Sequence, residues 1–323
     1  MRSLFLSLCI SLLIVFATAA PAPAQVDAKI TVDSLSKVRE LIADSIPWKW
    51  RTMWGLGFST VQLNNWTGGG QDAMSVRLLM LGSLDYAANG FSLDNDLELG
   101  YGLAKLGSQS FRKNDDRIIL SSRAALRQST HFKWAAFIEF RTQFYDGNNY
   151  NVIDRTTNDF LEISNFMAPA CLTGALGLEY IPVPELKILV APVSSRSTFV
   201  ESDRIIQQGI NSGLGAFGLE PGVRSRTDIG AVVNASLDWE MFENVRWRSR
   251  FNAFMPYKTP ALWVVTLENA FLLKVNSWLN VSLLTDVFYN DRIPVLRDDG
   301  TTGPATQLRN QLVIGINWSL ANF

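Results

Sequence analysis

Residues 93–103 read LDNDLELGYGL, and their alternation decides the fold. Leu93, Leu97, Leu99, Tyr101 and Leu103 take one parity. Asp94, Asp96, Glu98, Gly100 and Gly102 take the other. A period of two is a β-strand with two unlike faces, one apolar and one charged. A strand with carboxylates on one face and leucines on the other fits two settings: a sheet lying on a soluble core, or a wall between lipid and an aqueous interior.

The same period recurs on both sides of this stretch. Upstream, WRTMWGLGFSTV (50–61) sets Trp50, Trp54, Leu56 and Phe58 against Arg51, Met53, Gly55 and Gly57. SVRLLMLGSLDYA (75–87) sets Leu78 and Leu84 against Arg77 and Asp85. Downstream, RIILSSRAAL (117–126) opposes Ile118 and Leu120 to Arg117 and Arg123, and FKWAAFIEFRTQFY (132–145) opposes Trp134 and Ile138 to Glu139 and Arg141. VRSRTDIGAVVNASLDW (223–239), VRWRSRFNAFM (245–255), LWVVTLENAFLLKV (262–275) and LNVSLLTDVFY (279–289) continue the pattern. It runs on to NQLVIGINWSLANF (310–323). About twelve strands of roughly 9–15 residues result. Soluble strands have about 5–6 residues, whereas tilted membrane-crossing strands need about 9–11.

The connections sharpen the choice. They alternate between short turns (ANG, QSTH, PVP, MFEN, NS) and longer loops such as DGNNYNVIDRTTNDFLEISNFMAPA and NDRIPVLRDDGTTGPAT. Short periplasmic turns and long extracellular loops are the plan of an outer-membrane barrel. The expected fold is therefore all-β: a transmembrane antiparallel barrel of about twelve strands over residues 48–323, closed by pairing the last strand with the first. No long helix is expected within it. Trp50, Trp134, Trp239, Trp247, Trp278 and Trp318 all fall near short turns or the ends of the barrel sequence, as a periplasmic aromatic girdle would.

Upstream of the barrel, Arg2 precedes the apolar run LFLSLCISLLIVFATAA, followed by PAPAQ. This is the pattern of an export signal over residues 1–24, with Ala22 and Ala24 at the cleavage site. Residues 25–47 carry Leu35, Val38, Leu41 and Ile42 at helical spacing and read as a short periplasmic helical segment. With Cys9 in the signal, Cys171 is left without a disulfide partner and is expected to be buried or to face lipid.

Net charge is -1 and charged residues make up 18%, which argues against nucleic acid as a partner. The expected surroundings are outer-membrane lipid and the barrel assembly machinery, in the bacterial outer membrane. His131, the one histidine, falls in a short turn, so neither a Ser-His-acid site nor a His/Cys metal site is expected. No catalytic residue and no cofactor are assigned. The candidate site is the interior, lined by Asp94, Asp96, Glu98, Arg117, Arg123 and Arg141. An Arg246, Arg248, Arg250 ladder adds to it, with Asp228, Asp238 and Glu268 on the strands beside it. Mixed charge in a narrow lumen points to ion pairing ahead of a selective ion path. The apolar pieces ISNFMAPA and GLGAFGLEPG point to loops folded over the mouth, with residues 148–159 as a plug. Arginine at an inward position such as Gly100 is expected to be less sensitive to depth than at the lipid-facing Leu97, Leu99, Ile118, Leu120 and Ile314.

NNWTGGG (64–70), LDNDLELGYG (93–102), FRTQFYDG (140–147), ISNFMAPA (163–170) and GAFG (215–218) resemble an uncharacterised outer-membrane barrel family of Bacteroidota, domain of unknown function 3078. The resemblance implies a fold and a location, and no activity. The expected role is a non-enzymatic barrel: a small or gated pore, or a structural or interaction barrel. The alternatives are a lipid-modifying outer-membrane enzyme and a soluble periplasmic ligand-binding β-protein.

Overall fold

The computed structural model describes residues 47–62, 71–154, 158–276, 278–296 and 301–322. The expected export signal, the helical segment, the Trp-Thr-Gly-Gly-Gly loop and Phe323 lie outside the described residues.

Twelve antiparallel strands close into a barrel. In chain order they are β1 (Trp48–Val61), β2 (Ala73–Ala88), β3 (Phe91–Leu106), β4 (Arg112–Arg127), β5 (Phe132–Thr142), β8 (Ala170–Val183), β9 (Leu186–Phe199), β10 (Ser225–Phe242), β11 (Val245–Pro256), β12 (Val264–Lys274), β13 (Leu279–Asn290) and β16 (Gln307–Ala321). They run 11 to 18 residues, enough to cross a hydrocarbon layer when tilted. Four short strands lie outside the ring, in the long loops: β6 (Gly147–Asp154) pairs with β7 (Asp159–Ser164), and β14 (Pro294–Leu296) with β15 (Thr302–Pro304).

Closure is made by β1 against β16, from Arg51↔Ala321 to Gly57↔Gly315. Asn322 fastens the seam: its side-chain oxygen accepts from Trp50 N at 2.8 Å and its amide donates to Trp48 O at 3.2 Å. The β2–β3 turn is Asn89-Gly90, both at positive φ (50° and 76°), as a two-residue hairpin turn with the right twist requires.

The outer face is apolar. Leu56, Leu78, Leu120, Ile138, Leu176, Leu283, Leu312 and Ile314 are all exposed there. An apolar belt this large on a soluble protein would aggregate; around a closed barrel it is the lipid surface. Among the girdle tryptophans, Trp50, Trp134, Trp239, Trp278 and Trp318 are exposed toward the short-turn end. Trp247 stacks on Phe271 with centroids 5.8 Å apart, and its Nε1 donates to Asn269 at 3.2 Å. The Trp48–Tyr86 and Phe132–Tyr180 ring pairs extend the same rim.

One expectation, on Cys171, needs correction, and the loops and interior hold features that periodicity did not show. A ten-residue helix, α1 (Asp203–Ser212), lies inside the long β9–β10 loop. Ser202 caps its first turn, Gly213 ends it at φ 70°, and its Ile205, Ile206 and Gly209 face is buried. Its signal was a short apolar face in a loop between strands, too brief for periodicity to stand out. Cys171 is half-buried on the inward parity, where Arg196 lies 3.6 Å from its Sγ. The inward Gly100 shares its space with a neighbouring side chain. A Cβ there would lie 3.0 Å from Arg117 Nε and 3.1 Å from its Cγ, so the glycine is what lets Arg117 lie flat across β3. The described residues among 148–159 belong to the β6–β7 pair, and Lys113, at the long-loop end of β4, donates to Tyr145 O (2.6 Å) and Ser164 (3.3 Å) on either side of it.

Arginine in place of Leu120, at the middle of the outer belt, is expected to cost ~2–4 kcal/mol, and in place of Leu126, near the rim, ~0–1 kcal/mol. Equilibrium urea unfolding in phospholipid vesicles measures both; equal costs at the two depths would mean that these leucines do not face acyl chains.

Candidate functional site

The inward parity of the strands brings charged side chains together at mid-barrel. On one wall a single row runs in register: Arg250 (β11), Glu268 (β12), Asp286 (β13) and Arg309 (β16). Opposite it, Arg77 (β2), Glu98 (β3), Asp115 and Arg117 (β4), and Glu139 and Arg141 (β5) point inward. Pairs within a wall are ordinary neighbours: Arg77 to Asp115 at 2.6 Å, Arg117 to Glu98 and to Asp115 at 3.3 Å each, and Arg141 to Glu139 at 2.7 Å. Arg309 also pairs with Asp286.

Three further pairs span the lumen. Arg250 meets Glu98 at 3.0 Å, although β11 and β3 lie six places apart in the twelve-strand ring, on opposite walls. Arg141 meets Glu268 at 2.8 Å from five places away, and Arg309 meets Asp115 at 3.4 Å from four. Arg250 also approaches Glu268 at 3.1 Å, an ion pair without hydrogen-bond alignment. The result is one connected lattice. Five guanidiniums (Arg77, Arg117, Arg141, Arg250, Arg309) meet five carboxylates (Glu98, Asp115, Glu139, Glu268, Asp286), so it carries no net charge. Balance is what physics demands: an unpaired charge in a confined interior is costly, and arginine's fixed fork of donors lets one side chain serve two acids.

Nearer the short turns, Arg123 pairs with Glu179 at 2.5 Å, and Asp238 takes Arg246 and, at 3.7 Å, Arg248. Asp94 sits in register with Asp85 and Arg123, and Asp96, exposed, with Ser83 and Ser121. Asp228 stands on β10, the strand beside the ladder, at its long-loop end. The two-residue β10–β11 turn pairs Arg250 with Ser236 and Arg246 with Glu240, leaving Asp228 beyond the end of that pairing, at the long-loop mouth. There it accepts from Arg226 at 2.9 Å and from Arg292 at 2.8 Å. Arg292 also donates to Thr259 at 2.7 Å, and Arg226 to the carbonyl of Gly218. Three connections are thereby tied across part of the mouth. Beside this knot, Ala168, Val200, Ile205, Ile206 and Leu219 form a small apolar core. The apolar pieces of the two long loops therefore pack on each other.

The charged interior has an apolar counterpart. Ala135, Phe137, Ala175, Leu189, Ala191, Val232, Phe254 and Val264 pack inside the wall formed by β5 and β8 to β12. Sequence reasoning missed this wedge, and it missed Asp115, Glu139, Glu179, Asp286 and Arg309 as partners. Two-sided apolar runs such as ILVAPV (188–193) and GAVV (230–233) were its available signal. His131 is exposed in the β4–β5 turn, and among the described residues no His, Cys, Asp and Glu group could hold a metal ion.

A closed, even-stranded barrel with an apolar outer belt and a charged interior is an outer-membrane β-barrel, and the bacterial outer membrane is its place. Residues 58–148 match the family described as protein of unknown function (DUF3078). No curated protein matches the sequence. Solved structures with a similar course include the translocator domain of autotransporter NalP from Neisseria meningitidis (10% identity, 88% of this chain and 94% of that one, TM-score 0.34). An outer membrane channel from Pseudomonas putida shares 7% identity over 86% and 97% of the two chains, with TM-score 0.38. The NanC porin shares 10% over 84% and 100%, with TM-score 0.36.

Glu268 holds two arginines. Its replacement by glutamine is expected to lower the unfolding free energy by about 1–3 kcal/mol, and the double-variant cycle with Arg250→Gln to show a coupling of about 0.5–3 kcal/mol. Urea unfolding of the reconstituted protein reads both; a coupling of zero would remove this pair from what holds the walls together.

Proposed function

We propose that this protein is a non-enzymatic outer-membrane barrel with a narrow, gated path. The observation that carries the reading is the Arg250–Glu98 pair, a 3.0 Å contact between opposite walls. Two side chains that meet in mid-lumen obstruct a wide solute, yet they are hydrogen-bonded groups that can exchange partners without unfolding the wall. The apolar wedge narrows the remaining section further. On this reading residues 1–24 direct export and are removed, and residues 25–47 stay in the periplasm. The inner-rim tryptophans sit at the lipid headgroups, and β16 presents the strand read by the assembly machinery. The family resemblance adds Bacteroidota as the source.

The test is conductance of the purified protein in planar bilayers. The intact protein is expected to show small, intermittent currents, and Glu98→Ala combined with Arg250→Ala to give larger and longer ones. Arg292→Ala, which unties the mouth, is expected to lengthen open times without changing the current through the mid-barrel constriction. A large, steady current in the intact protein would make it an open pore; none in any variant would make it a sealed structural barrel.

A further inference from the structure

We infer that the path through this barrel passes small anions in preference to cations. The inference rests on the gated-path reading above and assigns it a solute class. Net charge predicts no such preference, because the mid-barrel lattice is balanced. The placement of the charges does predict it. Arg250 has 49% of its side chain exposed, against 15% for each of its partners Glu98 and Glu268. Arg309 has 42% exposed, against 2% for Asp115 and 23% for Asp286. Arg141 follows the same order, 33% against 17% for Glu139. These arginines make the pairs that cross the barrel, so their exposed surface faces the lumen and not lipid.

The reason is the shape of the two kinds of group. A carboxylate on a short stem lies close to the wall and is covered once guanidiniums approach it from two sides. A guanidinium on a long stem reaches toward the axis and keeps N–H donors free after two pairings, since it has five. Water and solute at the constriction thus meet positive charge and donors first, with the carboxylates behind them. Arginine facing a pore is the arrangement that favours anions. The apolar wedge of Phe137, Leu189, Val232 and Phe254 adds a low-dielectric wall on one side, which keeps the field in the remaining space. Two carboxylates run against the trend, both toward the short turns: Asp96 is exposed on the inward parity of β3, and Asp238 has 34% of its side chain exposed against 13% for Arg246. Both lie outside the lattice, away from the constriction, where Arg250 and Arg309 are exposed and Arg141 partly so.

The experiment is the reversal potential of the full-length processed protein in planar bilayers under a KCl gradient, with folding of each variant checked by its heat-dependent gel mobility. Chloride is expected to be preferred over potassium by about fivefold, the ratio set when one unit charge at about 8 Å attracts the anion and repels the cation in a water-like dielectric. Arg250→Gln and Arg309→Gln should each move the ratio toward unity, Arg250→Lys should retain it, and Asp96→Asn should raise it. If the glutamine variants fail to fold, the intact protein and Arg250→Lys still decide the matter. Equal permeability or a preference for potassium in the intact protein would overturn the anion assignment while leaving a path. Absence of current in the intact protein and in the Glu98→Ala, Arg250→Ala variant alike would overturn the path itself, and the assignment with it.

Discussion

Lipid offers no hydrogen-bond partners to a backbone, and every other feature of this protein follows from that constraint. Each strand must find both neighbours, so the sheet must close. Here closure falls to β1 and β16, the first and last strands of the ring, with Asn322 bonded to the backbone at Trp48 and Trp50. Once the ring is closed, strand alternation acquires a fixed meaning. One parity meets acyl chains and the other meets whatever the barrel encloses.

The enclosed space is where this chain departs from a simple water-filled tube. Half of the wall turns an apolar surface inward, and Phe254, Leu189 and Val232 are almost wholly buried in it. The other interior positions carry charge, and those charges meet across the lumen. The two devices work differently. Apolar packing fills space permanently, because opening it would expose surface to water. Ion pairs close space conditionally, because water or an incoming ion can replace a partner. A barrel built with both has a fixed wall and one region able to change, bounded at the long-loop end by the Asp228–Arg292–Thr259 knot.

Glycine has a specific place in this design. Gly100 sits under Arg117, whose side chain crosses β3 on its way to Glu98 and Asp115. This inward residue is the floor on which a lattice member lies. Inward parity alone does not tell whether a site is open or already occupied by a neighbour's side chain.

What the sequence determined by itself was everything carried by local periodicity: the strands, the sides on which Leu120 and Glu98 point, the alternation of turns with loops, the tryptophans near the short turns and the charged character of the lumen. These are properties of neighbouring residues in the chain, and a period of two survives without knowledge of any partner strand. The tertiary structure alone decided which charges meet. Glu98 and Arg250 are separated by 152 positions and pair because twelve strands, in one register, set β3 opposite β11. Asp228 lies on the same strand as Asp238 yet serves the mouth, because the β10–β11 turn sets the register that puts it there. Register and ring closure are collective properties of the whole sheet, and they are fixed only when the last strand has paired with the first.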